Sequence, residues 1–238
     1  MKVLITIFLF FTCSSSCNKK DNQTMSSTTG NTGNTKQYTY LALGDSYTIG
    51  ERVAASENFP NQVSAMMLNN AISFQAPRII AKTGWTTDEL EAGIVAANNT
   101  EPLKASYDFV SLLIGVNDQY RGRSVDSYKP AFEELLKKAI RFAADKADHV
   151  VVVSIPDWGV TPFASGRDRA QIAAEIDAYN AANKQIAQTY GVKYIDITPW
   201  TREAASDATL LAPDGLHPSG KEYKRWAESI SFFFRSKL

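Results

Sequence analysis

Tyr107-Asp108-Phe109-Val110-Ser111-Leu112-Leu113-Ile114, running into Gly115-Val116-Asn117-Asp118, is apolar at nearly every position. A strand with one wet face would alternate, so this run needs cover on both faces, as a parallel strand beneath helices has. Similar runs flank it. Upstream lie Tyr38 to Leu43 and, despite Pro77, Ile72 to Ala81; downstream lie His149 to Ile155 and Val192 to Ile197. Amphipathic stretches separate them. Phe59 to Leu68 carries Phe59, Val63, Met66 and Met67, with Pro60 at an early helical position, and Thr87 to Ala97 points Leu90, Ile94 and Val95 inward. Ser127 to Ala144 repeats Phe132, Leu135, Leu136, Ala139, Ile140 and Ala143 at helical spacing; Asp168 to Tyr190 ends at Gly191, and a last helix starts near Ser219. The alternation predicts an α/β domain with a five-stranded parallel sheet. Right-handed crossovers then set every strand C-terminus along one edge, where open α/β sheets bind ligands.

Composition narrows the chemistry. With 238 residues, 44% hydrophobic and 21% charged, the chain can bury one sizeable core. A formal net charge of zero without a long basic run excludes the electrostatic footprint of a nucleic-acid binder. Both cysteines, Cys13 and Cys17, fall in the first twenty residues, and the only histidines are His149 and His217. That disfavours a zinc site of histidine and cysteine, although carboxylates alone could hold a hard cation; neither metal nor cofactor is expected.

Met1-Lys2 before the apolar stretch Val3 to Phe11 has the pattern of a secretory signal, too short to span a bilayer. Thr12 to Asp21 resembles the junction of bacterial lipoproteins, with Cys17 as the acylated residue, although Ser14 replaces the usual leucine and Cys13 competes. A plain cleaved signal is the alternative. Residues 1–17 are thus expected to be a signal peptide, 18–36 a flexible tether rich in Asn, Thr, Ser and Gly, and 37–238 the domain. The expected location is outside the cytoplasm, in the periplasm or anchored to the outer membrane, as a monomer.

Polar residues gather at the predicted strand ends. Ser46 follows the first strand in Leu41-Ala42-Leu43-Gly44-Asp45-Ser46, Gly84 the second, Asn117 the third and Trp158 the fourth; Asp214-Gly215-Leu216-His217 precedes the last helix. Acyl transfer needs a nucleophile, a base, a group orienting the base and donors for an oxyanion. Ser46, His217 and Asp214 can supply the first three, and the amide of Asn117 with the backbone N–H groups of Gly84 and Ser46 the last. Asp45, Asp118 and Asp157 read as turn braces, His149 as structural, and Asp196 as a less favourable partner for His217 than Asp214. Tyr47, Trp85, Tyr120, Trp158 and Phe163 are candidates for a platform under a sugar, acyl or aryl group. Arg52, Arg121 and Arg123 could hold an anion but read mainly as surface charge. Pro156 to Gly166 has the composition of a loop covering a pocket.

In order, Gly44-Asp45-Ser46, Gly84, Gly115-Val116-Asn117-Asp118 and Asp214-Gly215-Leu216-His217 resemble the four conserved blocks of the SGNH (GDSL) hydrolases. That resemblance implies a flavodoxin-like three-layer α/β/α sandwich and a metal-free serine esterase, with Ser46 as nucleophile, Asp214 and His217 completing the triad, and Gly84 and Asn117 in the oxyanion hole. Residues around Ser46 and Gln119 to Arg123 look like bacterial esterases labelled lysophospholipase-like. The nucleophile elbow of α/β-hydrolases does not fit, because Thr48 stands where its second glycine belongs. Within the family the choice lies between a lysophospholipase-like or general carboxylesterase and a carbohydrate O-acetylesterase. The alternative of another class is a surface lipoprotein that binds glycans without turnover.

Overall fold

The computed structural model describes residues 36–238. The expected signal peptide, Cys13, Cys17 and the tether up to Thr35 lie outside the described residues. Five parallel strands, β1 (Tyr40–Gly44), β2 (Arg78–Ala81), β3 (Phe109–Leu113), β4 (Val150–Val153) and β5 (Lys193–Ile195), form one sheet in the order β2-β1-β3-β4-β5. Leu43 stands opposite both Ile80 and Leu112, so β1 is hydrogen-bonded on each side. All residues of β1, β3 and β4 are buried, the outcome their unbroken apolar runs predict.

Helices α1 (Ser46–Ile49) and α2 (Phe59–Asn69) follow β1, and α3 (Thr87–Thr100) follows β2. After β3 come α4 (Val116–Tyr120) and α5 (Val125–Phe142); α6 (Arg169–Thr189) precedes β5, and α7 (Thr198–Arg202) and α8 (Gly220–Arg235) complete the order. Helices α2 and α8 pack together, while α3, α5 and α6 pack as a second group. The result is the flavodoxin-like three-layer sandwich. Its ends are set locally: Asn58, Ser124, Asp168 and Ser219 each accept a backbone N–H at the start of α2, α5, α6 and α8. Helix α8 buries Tyr223, Trp226, Ala227, Ile230 and Phe234 along one stripe, and the Phe234 ring stacks on Phe109 of β3 at 4.3 Å.

Some expectations need correction. The second strand covers only Arg78–Ala81; Pro77 has no N–H for a ladder, and of the stretch before it Phe74 alone bridges Tyr38. The fifth stops at Ile195, because the N–H groups of Ile197 and Thr198 turn to the Ser154 hydroxyl, at 2.8 and 3.1 Å. On α3 the inward residues are Leu90, Gly93 and Ile94, whereas Val95 is 51% exposed. One residue is a 100° turn of a helix, enough to carry Val95 off the buried stripe.

Candidate active site

Strand order reverses between β1 and β3, and the crevice at such a switch point is where this architecture binds ligands. Gly44 lets the two strand tips approach: a Cβ there would lie 2.4 Å from the Leu113 carbonyl oxygen. Next, the buried Asp45 caps α1, its Oδ1 accepting the Tyr47 N–H at 3.0 Å, and Ser46 becomes the first residue of that single helical turn. Gly115-Val116-Asn117-Asp118, which follows the third strand as expected, is the entry to α4. Asn117 Nδ2 donates to the Trp85 carbonyl at 3.0 Å and reaches Asp45 Oδ2 only at 3.5 Å, so one amide N–H stays weakly engaged.

Gly84, at φ +82°, holds a left-handed conformation that a side chain would strain. Its carbonyl accepts Arg121 Nη2 at 2.7 Å, and the preceding Thr83 hydroxyl bonds to Glu51. Trp85 turns away from the crevice: its indole lies on Gly93 of α3, where a Cβ would come within 2.0 Å. It is therefore a packing residue and not part of the expected platform. Asp118 does more than brace a turn. Wholly buried, it accepts the Thr87 N–H and hydroxyl at 3.1 and 2.9 Å and Arg123 Nη1 at 3.0 Å, tying the start of α3 to α4.

The His217 segment forms a tight loop. Leu211 and Pro218 bridge antiparallel, and the Ala212 N–H donates to the His217 carbonyl at 2.7 Å. Within it, Asp214 Oδ1 accepts the N–H groups of Leu216 and His217, both at 3.0 Å, and Oδ2 lies 2.6 Å from His217 Nδ1. A carboxylate can only accept, so that contact assigns the ring proton to Nδ1 and leaves Nε2 with its lone pair. Partial burial works to raise the Asp214 carboxyl, but hydrogen bonds from the ring and the two backbone N–H groups outweigh it and hold it below the usual range. The imidazole is buried and lies against the Tyr47 ring, centroids 5.1 Å apart.

These pieces surround one cavity of about 150 Å³, with Ser46, Gly84, Asn117 and His217 among the groups that line it. No direct hydrogen bond joins the Ser46 hydroxyl to the imidazole among the described residues, a looseness common in sites without a bound ligand. Tyr120, Trp158 and Phe163 make its aromatic wall. Trp158 is fixed by a hydrogen bond from Nε1 to Gln119 Oε1 at 2.8 Å, while Tyr120 and Phe163 are 44% and 46% exposed at the mouth. Tyr47 also lines it. The sequence reading missed Thr83 and Leu216, whose only signal was adjacency to Gly84 and His217. Asp196 bonds Ser154 and Thr198 instead, and Asp157 caps its own turn and pairs with Arg202. Arg123 is paired with Asp88 and Asp118. His149 bonds the Asp108 carbonyl and stacks on Phe109. A larger cavity, about 830 Å³, lies between β5 and α8 and is lined by Asp196 and Arg225 but by none of Ser46, Gly84, Asn117 and His217.

A family model described as GDSL-like lipase/acylhydrolase matches residues 42–225. The chain belongs to that family. As a GDSL-like lipase/acylhydrolase it is a hydrolase acting on ester bonds. No curated protein sequence matches it significantly. Among solved structures, TesA superposes with a TM-score of 0.63 at 17% identity, covering 84% of this chain and 99% of TesA. The lipase/acylhydrolase from Enterococcus faecalis gives 0.62 at 20% identity, over 85% and 97% of the two chains. Axe2, an acetylxylan esterase from Geobacillus stearothermophilus, gives 0.59 at 19%, over 83% and 94%. At such identities the likeness is one of fold.

Asp45 gives the hydrolase a pH-dependent stability. Burial pushes its carboxyl from 3.8 up to about 8; the Tyr47 N–H works against that rise and nearby Asp118 adds to it. Since the folded value lies above the unfolded one, this contribution is fully present below about pH 4 and is lost as pH rises through about 8. The slope reaches at most about 1.4 kcal/mol per pH unit. Asp45→Asn keeps the cap acceptor and removes the titration, so its urea midpoint should change less than wild type between pH 5 and 9. An equal change in both proteins would assign the slope to another group.

Proposed function

We propose that this GDSL-like hydrolase is an exported serine esterase for short-acyl esters, working through an acyl-enzyme on Ser46. The observation that carries the reading is the convergence of Ser46, Gly84, Asn117 and His217 on one cavity, with Asp214 behind the imidazole. Ser46 Oγ attacks the ester carbonyl carbon and gives its proton to His217 Nε2, while Asp214 holds Nδ1–H and faces the imidazolium. The carbonyl oxygen, now negative, accepts hydrogen bonds from the N–H groups of Ser46 and Gly84 and from Asn117 Nδ2. Collapse of the tetrahedral adduct breaks the bond to the alcohol oxygen, which takes the proton from His217. Water, deprotonated by the same nitrogen, then releases the acid and restores the serine.

Cavity size favours a small acyl group. A void of about 150 Å³ holds a benzene-sized guest; a long lysophospholipid chain would have to leave it. A carbohydrate O-acetylesterase is a second reading, favoured by the exposed rings of Tyr120 and Phe163 beside the mouth, on which a sugar face can lie. Export rests on the Met1 to Cys17 pattern, with Cys17 as the lipid attachment point.

A panel of aryl acetate, aryl octanoate, lysophospholipid and acetylated xylan, with Ser46→Ala as control, tests the reading. The expected result is Ser46-dependent turnover of acetyl esters, with kcat/KM roughly tenfold or more lower for octanoyl. Preferred cleavage of lysophospholipid would overturn the short-acyl assignment. Glycan binding without any turnover would favour a binding lipoprotein and reject the esterase.

A further inference from the structure

Gly84 has no side chain to anchor it, so the direction of its N–H depends on what grips the neighbouring peptide groups. Two side chains from the α4 region do this. Asn117 Nδ2 donates to the Trp85 carbonyl at 3.0 Å, and Arg121 Nη2 donates to the Gly84 carbonyl at 2.7 Å. Arg121, which directly follows α4, is in turn fixed from behind. Its Nη2 lies 3.0 Å from Glu89 Oε2 and its Nη1 donates to Glu89 Oε1 at 3.3 Å, a two-pronged contact. Glu89 is itself held, because Oε2 also accepts the Thr86 N–H at 2.9 Å at the start of α3. The guanidinium thus bridges a carboxylate locked on α3 and the carbonyl of Gly84.

We infer that Arg121 is a positioning residue for the oxyanion hole, holding the Gly84 N–H in register with the Asn117 amide. This rests on the acyl-enzyme reading above. An arginine suits the place because its planar fork reaches two acceptors at once, which a lysine ammonium does not reproduce. Arg123, two residues on, is a contrast: it pairs with Asp88 and Asp118 and donates to neither Gly84 nor Trp85. The surface pairing of Arg121 and Glu89, both 40% exposed or more, contributes little to stability, so the expected signature is kinetic.

The test is steady-state hydrolysis of an aryl acetate by the full chain and by Arg121→Ala and Arg121→Lys, with the rate of Ser46 labelling by an aryl phosphonate. Arg121→Ala should lower kcat and the labelling rate roughly 10- to 100-fold, with KM within about twofold, since a displacement of about 1 Å of a catalytic group has that scale of effect. Arg121→Lys should fall between, and millimolar guanidinium should raise kcat of Arg121→Ala but not of wild type, against a sodium chloride control. A raised KM with unchanged kcat would overturn the proposal and make Arg121 a substrate contact. Wild-type kcat in both variants would overturn it as well. If Arg121→Ala does not fold, by thermal unfolding, Arg121→Lys with wild-type kcat and labelling still rejects it. A wild-type protein that neither hydrolyses the ester nor takes the label fails the acyl-enzyme reading itself, which separates the two failures.

Discussion

Ser46→Ala is expected to lower kcat on an aryl acetate by about 10⁴ to 10⁶. On the acyl-enzyme reading the change removes the atom that bonds to the acyl carbon, so no covalent intermediate can form and only direct attack by water remains. What survives is stabilisation of the developing oxyanion by Gly84 and Asn117 with retained binding of the ester, worth roughly 10³ to 10⁴ over the reaction in water. The fold should be untouched. The cap of α1 is made by Asp45 and not by Ser46, and α1 ends at Gly50, which sits at φ 75°. Equal thermal midpoints, loss of the pre-steady-state burst and absence of a phosphonate adduct by intact mass would together report removal of a nucleophile. An adduct that persists in Ser46→Ala would move the nucleophile elsewhere.

Asp214→Asn should lower kcat by roughly 10³ to 10⁴ with little change in KM or thermal midpoint. Size barely changes, so the effect is one of proton placement. Asp214 Oδ1 accepts two backbone N–H groups, from Leu216 and His217. An asparagine must keep its oxygen on that side, because an NH₂ there would face two donors. Its nitrogen is therefore forced towards His217 Nδ1, and the ring answers by moving its proton to Nε2. That tautomer presents an N–H to the serine and cannot take its proton. A loss of less than tenfold would mean that Asp214 caps the loop without orienting the base.

Fold class was legible because parallel strands covered on both faces leave an unmistakable trace, as in Val150 to Val153 and Phe109 to Leu113. The gathering of Ser46, Gly84, Asn117 and His217 followed from that, since each stands just after a strand or just before the last helix. Less legible was whatever depended on a distant partner. Nothing near Asp118 announces Thr87, because helix α3 reaches it only once it has docked, and the fold-back of the Trp85 indole over Gly93 of the helix that follows it leaves no trace in the hydrophobic pattern. Val95 misled for a smaller reason: a β-branched residue beside Ile94 reads as core unless the helical phase is fixed to within one residue. Pro77 was read as tolerable inside a strand, but the missing N–H shortened β2 to its last four residues.

His217 stands just ahead of α8, the helix that seals the sheet by laying Phe234 on Phe109 and against Tyr40. Ser46, although it shares a cavity with His217, follows β1, the first strand of the sheet. On the acyl-enzyme reading, the serine emerges early in synthesis but meets its base only after α8 has been made and has closed on the first strands. On that reading a partly unfolded molecule lacks its base, and the onset of turnover is expected to mark the docking of α8 rather than the first collapse of the sheet.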